Sequence, residues 1–150
     1  MIIDRTQQDV ELALEIREKV KNGETLTESE ILSFERGFLT VNTLNRIEEK
    51  QAELSQILSD LGYSVSINTK QWDSTQIFDI LECERWIFNL QSLKSAFFTS
   101  KTTPDVPVYL YGYREMNAVE KILVDLEELT NNTISSFAYS SSEIYSGGIS

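Results

Sequence analysis

Apolar residues recur at helical spacing in five stretches of the chain. Leu12, Ala13, Ile16 and Val20 share one broad face, which predicts a helix over residues 6–20. Thr6 is placed to cap it, with Asp9 three residues on, and Asn22-Gly23 to end it, because glycine takes the left-handed conformation cheaply. Thr27-Glu-Ser-Glu30 fits a capping box, with Leu26 and Ile31 at the hydrophobic-staple positions. Ile31, Phe34 and Phe38 form the stripe that follows, and Gly37 weakens the end of this second helix. A third helix spans residues 42–61, with Leu44, Ile47, Leu54, Leu58 and Leu61 on one face and Gly62 as its stop.

Residues 63–67 alternate strictly between polar and apolar after Tyr63, which suits a short strand or an extended connection. A fourth helix, residues 74–98, carries two apolar stripes. One holds Ile77, Ile80, Leu81, Glu84, Ile87 and Phe88; the other holds Trp86, Leu90, Leu93 and Phe97. A helix apolar on two sides belongs in the middle of a bundle. Pro104 and Pro107 bracket a loop. A fifth helix, residues 114–129, repeats Met116, Val119, Ile122, Leu123, Leu126 and Leu129. From Ser135 the chain turns Ser- and Gly-rich, with Phe137, Tyr139, Ile144 and Tyr145 interspersed. Aromatic residues among serines suit strands that need a partner edge. The expected fold is mainly α: a bundle of four to five helices over residues 1–132, a short extended segment, and an extended C-terminal docking tail over residues 133–150.

Composition narrows the function. The chain has 150 residues, a formal charge of −11, no histidine and one cysteine. Within one chain this excludes His- and Cys-rich zinc sites, a Ser-His-Asp triad, a Cys-His dyad and an internal disulfide. The acidic balance disfavours nucleic acid and anionic membranes as partners. No apolar run approaches the ~20 residues that span a bilayer, and Met1-Ile-Ile-Asp-Arg5 lacks the features of a signal peptide. No metal and no cofactor are expected. Cys83 lies between Glu82 and Glu84, which oppose a thiolate, so a quiet cysteine is expected there.

Asn45, Arg46, Glu48, Glu84, Arg85, Asn117 and Glu120 stand on or beside apolar stripes. They suit either a carboxylate site for acid–base work or a hard metal, or a hydrogen-bonded network that locks helix register. The network is favoured. Helix-borne di-metal sites need Glu-x-x-His, and buried polar groups are normally paired. Two short echoes, Asn45-Arg-Ile-Glu48 and Asn117-Ala-Val-Glu120, each open a leucine-patterned helix. Asp125, Glu127 and Glu128 read as a solvated face. Trp72 and Trp86, with Tyr109, Tyr111 and Tyr113, suit a core or interface, or else a sugar-stacking surface.

The order of several motifs resembles a family of small tail-associated proteins of phages and prophages of Gram-positive bacteria. The motifs are Asp4-Arg-Thr-Gln-Gln-Asp-Val10, Leu44 to Glu48, Gly62 to Val65, Trp72, Glu84-Arg-Trp86, a Pro-containing loop, Asn117-Ala-Val-Glu-Lys121, and an ending from Phe137 to Gly147. The chain departs from the family pattern at Phe78-Asp-Ile80, which lacks a proline, and at Ser141-Ser142, where Ser-Gly is usual. The resemblance implies a non-enzymatic component of the virion tail tip or baseplate, made in the host bacterial cytoplasm. Its partners would be other tail or baseplate proteins and further copies of itself. Phe137, Tyr139, Ile144 and Tyr145 are the expected partner-binding residues, through strand addition. Two other functions compete: a tail adhesin that binds host-surface carbohydrate, and an acidic DNA mimic. The second requires rows of carboxylates, whereas Asp and Glu are scattered over all the helices.

Overall fold

The computed structural model describes the backbone of residues 1–148 and the side chains through residue 138. Among these residues it contains five helices and no strand: α1 (Gln7–Lys21), α2 (Glu28–Gly37), α3 (Val41–Asp60), α4 (Ile80–Ala96) and α5 (Tyr113–Gly148). Local chemistry sets the ends. Thr6 and Asp9 close a capping box on α1, and Thr27 and Glu30 close one on α2. At α1 and α3 the chain leaves the helix through a positive-φ glycine, Gly23 (φ 73°) and Gly62 (φ 94°). Glu24 N–H then reaches back to the Lys19 carbonyl at 3.1 Å, and Tyr63 N–H to Leu58 at 2.9 Å, which satisfies carbonyls the helix leaves open.

Helices α3, α4 and α5 share the main core. Ile47, Leu54 and Leu58 meet Trp86, Leu90 and Leu93, and Val119, Ile122, Leu123 and Leu126 fill the third side. Helices α1 and α2 form a hairpin that packs chiefly on itself. Of the expected α1 stripe only Ala13 and Ile16 are buried; Leu12 and Val20 are exposed. Gly37 has a function beyond weakening a helix. A Cβ there would lie 2.2 Å from Ala13 Cβ and 2.6 Å from the Asp9 carbonyl oxygen. Only a residue without a side chain lets α2 close onto α1 at this distance.

Three expectations are corrected. Helix α4 begins at Ile80, not at residue 74. Asp73 accepts the Thr75 N–H at 2.8 Å in a local turn, and Asp79 takes the N-cap, accepting from Leu81 and Glu82 N–H at 3.1 Å each. Phe78 is thereby free to pack against Trp72 and Trp86. Residues 63–67 take the extended-connection form of the two expected: Val65 and Ile67 pack on the core while Ser64 and Ser66 face out. Helix α4 is not buried on two sides, because Ile77, Ile80, Leu81 and Phe88 are exposed.

The last correction concerns residues 133–138, which continue α5 rather than turning extended. The Thr130 and Thr133 hydroxyls bond back to the Leu126 and Leu129 carbonyls at 2.8 and 2.9 Å, so these polar residues are satisfied inside a helix. Phe137 is exposed on that helix. The side chains of Tyr139, Ile144 and Tyr145, also expected to bind a partner, lie outside the described residues.

Candidate functional site

Two buried carboxylates organise the polar interior. On α3, the Glu48 side chain is 2% exposed and accepts from five donors. Oε1 takes the indole N–H of Trp72 at 3.0 Å, that of Trp86 at 2.8 Å, and Arg85 Nη2; Oε2 takes Arg85 Nη1 at 3.0 Å and the Lys70 backbone N–H at 3.3 Å. A carboxylate offers about four lone-pair sites, so Glu48 is saturated. Burial pushes its carboxyl pKa up; the hydrogen bonds from Arg85, Trp86 and Trp72 outweigh this and hold it below the usual range. Arg85 also donates to Glu82 at 2.8 Å and to the Asn68 carbonyl at 2.6 Å. Burial pulls Arg85 down, Glu48 and Glu82 push it up, and the net shift is upward.

The second centre is Glu120 on α5, whose side chain is fully buried. Its Oε2 accepts the Ile2 N–H at 2.6 Å and Arg5 Nη1 at 2.9 Å; its Oε1 accepts Arg46 Nη2 at 2.7 Å. Arg5 continues to the Arg36 carbonyl at 3.0 Å, at the end of α2, and to the Ile2 carbonyl at 2.8 Å. Here two guanidiniums share one carboxylate, and Arg5 Nη2 and Arg46 Nε are buried without a partner. Arg46 lies beside Asn45 on α3, so neighbouring residues of one helix serve the two centres.

Beside each glutamate an asparagine clamps a main chain. The Asn45 amide accepts from the Trp72 N–H at 2.7 Å and donates to the Trp72 carbonyl at 3.1 Å. Asn117 does the same to Arg5, at 3.0 Å in both directions. A third clamp, Asn89 on α4, holds Asn68 N–H at 3.1 Å and its carbonyl at 2.8 Å, and also donates to Gln51 at 3.0 Å. Residues 68, 70 and 72 thus present alternate backbone groups to Asn89, Glu48 and Asn45. This is the period of an extended chain, with side-chain amides and a carboxylate standing where a neighbouring strand would be.

Of the residues singled out in the sequence, Asn45, Glu48 and Arg85 come together in one centre, and Arg46, Asn117 and Glu120 in the other. Glu84 belongs to neither. It is exposed on α4, and Glu82, two residues earlier, is the acid that meets Arg85 and Lys70. Sequence reasoning missed Arg5, Asn89 and the two indole donors. A segment opening with Asp4-Arg5 ahead of a helix gives no sign that the arginine turns inward. Asp125, expected on a solvated face, is 7% exposed and accepts from the Thr103 hydroxyl and from Lys121 Nζ, both at 2.6 Å, tying the proline loop to α5. Trp72 and Trp86 are buried, so neither face is open to a sugar.

Outside this interior, a cleft of about 920 Å³ opens between the α1–α2 hairpin, the start of α4 and the segment before α5. Phe38, Phe78, Ile80, Tyr109 and Tyr111 give it an apolar wall, and Arg36 gives it charge. Comparison with protein-family models, with curated proteins and with solved structures finds no match.

Proposed function

We propose that the chain is a structural component of a bacteriophage tail tip or baseplate, acting by protein–protein packing rather than chemistry. The family resemblance along most of the sequence carries the assignment to a tail. The observation that supports packing over catalysis is the saturation of Glu48. All its lone-pair sites are engaged by internal donors, so it cannot take a substrate proton without breaking the core. Glu120 is likewise engaged by two guanidiniums and a backbone N–H.

The surface supports the same reading. Ile77, Ile80, Leu81 and Phe88 are exposed on or just before α4, and Ile80 lines the aromatic cleft together with exposed Tyr111. Exposed apolar side chains beside such a cleft suit a docking face. Other tail or baseplate proteins are the partners this reading requires, and the virion is its location. The adhesin alternative now rests on Tyr109 and Tyr111, whose rings lie 4.9 Å apart at the cleft. Mass spectrometry of purified virions tests the proposal. The chain should be found at stoichiometric level with tail proteins, and disruption of its gene should give particles with defective tails. Intact, infectious particles lacking the chain would reject it.

A further inference from the structure

We propose that the chain pairs with a second copy of itself along the C-terminal half of α5. This rests on the packing role above and names a partner for it. Helix α5 has 36 residues, a length of about 54 Å. Met116, Val119, Leu123, Leu126 and Thr130 alternate steps of three and four residues, and all are buried. The same alternation continues through Thr133, half-buried, and Phe137, which is 62% exposed. In the sequence Ile144 follows Phe137 by another seven. The stripe that seats α5 in the core therefore continues past Thr130 and ends, among the described side chains, on an exposed Phe137.

The pattern and the charge identify the occupant. A 3.5-residue repeat of uncharged residues, with exposed Phe137 on it and exposed Ile134 beside it, suits another α-helix, because that period keeps one seam facing a partner helix. Beside the seam, Phe98, Leu129, Asn132, Thr133, Ser136 and Phe137 line a shallow cleft of about 390 Å³, and none is charged. From Thr130 to Ser150 the only charged side chain is Glu143; the other 23 acidic and all 13 basic residues precede it. Two copies of a chain with charge −11 repel one another over most of their surface. Along this segment they meet without that repulsion.

Sedimentation of the purified full-length chain over a concentration series tests the pairing. The expected mass at high concentration is twice the 17.2 kDa of one chain. Association should strengthen with added salt, which screens the acidic bodies and leaves the uncharged seam intact. Phe137→Glu and Ile134→Glu, both at exposed positions, should keep the helical circular dichroism and weaken association by about tenfold or more. Leu32→Glu, at an exposed position on α2, should leave association unchanged. A wild-type chain that stays monomeric overturns the pairing, as does a Phe137→Glu chain that dimerises normally or a Leu32→Glu chain that does not. Presence in the virion is scored separately on intact particles, so a monomeric chain rejects the pairing without deciding the tail assignment.

Discussion

Asn45 and Asn117 perform one operation on two different segments of chain. Each amide accepts a main-chain N–H and donates to the carbonyl of the same residue, Trp72 in one case and Arg5 in the other. Three residues further along each helix, a buried glutamate binds an arginine and a second backbone N–H of the clamped segment. Asn-x-x-Glu puts both side chains on one helix face, so the pair acts as a short substitute for a strand edge. The clamps should be separable. Asn45→Ala and Asn117→Ala should each cost roughly 1–3 kcal/mol, because each strands buried backbone groups. Hydrogen exchange should rise at the Trp72 amide in the first variant and at the Arg5 amide in the second. Equal acceleration at both sites in either variant would show that the clamps are one unit.

Glu48 is the most exacting position in the interior. Glu48→Gln keeps the shape but leaves Arg85 with Glu82 as its remaining carboxylate, and it replaces an acceptor oxygen by a donor facing two indole N–H groups. Breaking a buried pair costs roughly 3–5 kcal/mol, and the Glu82 contact offsets part of that here. Urea unfolding should register this loss, and tryptophan fluorescence should shift, since both indoles lose their acceptor. Glu84→Gln, exposed and outside both centres, should change stability by no more than about 0.5 kcal/mol. Comparable losses in the two variants would mean that Glu48 is not the organising acceptor.

How much of this was legible in the sequence depended on the range of the interaction. Thr6 and Thr27 cap helices through residues three positions away, and both caps form as the sequence predicts. The Asn45–Glu48 and Asn117–Glu120 echoes were visible as polar residues set into apolar stripes, which only a buried role explains. Their partners were not visible. Arg5 lies 115 residues from Glu120, and Trp72 and Trp86 look like any core aromatics until their ring N–H groups are placed. Glu84 stands in the apolar stripe expected for the fourth helix, yet it is exposed; Glu82, three residues before Arg85 on the same helix face, is the acid that meets it. The helical course of residues 133–138 was obscured by composition. Serine and threonine lower helix propensity, but their hydroxyls can bond back into the same helix.

The α1–α2 hairpin should respond to acid through Asp9. The Arg36 guanidinium, assisted by Thr6 and opposed by partial burial, lowers the Asp9 pKa to about 2. A folded pKa below the unfolded value gives stability that is present above the unfolded value of about 3.9 and lost as pH falls through the folded one. Glu48, also depressed, acts in the same direction. Between neutral pH and about pH 4 the hairpin should therefore hold, and below that it should loosen. A carboxyl-carbon NMR titration should place the Asp9 midpoint near 2 in the wild-type chain. In Arg36→Gln it should move toward the ordinary aspartate value. An unchanged midpoint would remove Arg36 as the cause.

Gly37→Ala gives the sharpest test of how the hairpin is built. In an ordinary helix this change stabilises by roughly 0.5–1 kcal/mol, because glycine loses more backbone freedom on folding. Here the new methyl group would fall 2.2 Å from Ala13 Cβ and 2.6 Å from the Asp9 carbonyl oxygen. Both neighbours sit on α1, and one is main chain, so the clash can be relieved only by moving the helices apart. Overpacking of this kind costs roughly 1–3 kcal/mol, which reverses the usual sign. The displacement would also stretch Arg36 from Asp9, now 3.1 Å from Nε to Oδ1, so the Asp9 midpoint should rise from about 2. Adding Ala13→Gly removes the nearer contact but not the Asp9 carbonyl, so the double variant should recover part of the lost stability, not all. Stability by urea unfolding and the Asp9 titration report on different parts of this chain of effects. If Gly37→Ala is as stable as wild type and Asp9 still titrates near 2, the helices do not meet at Gly37 and the close approach is not what holds the hairpin.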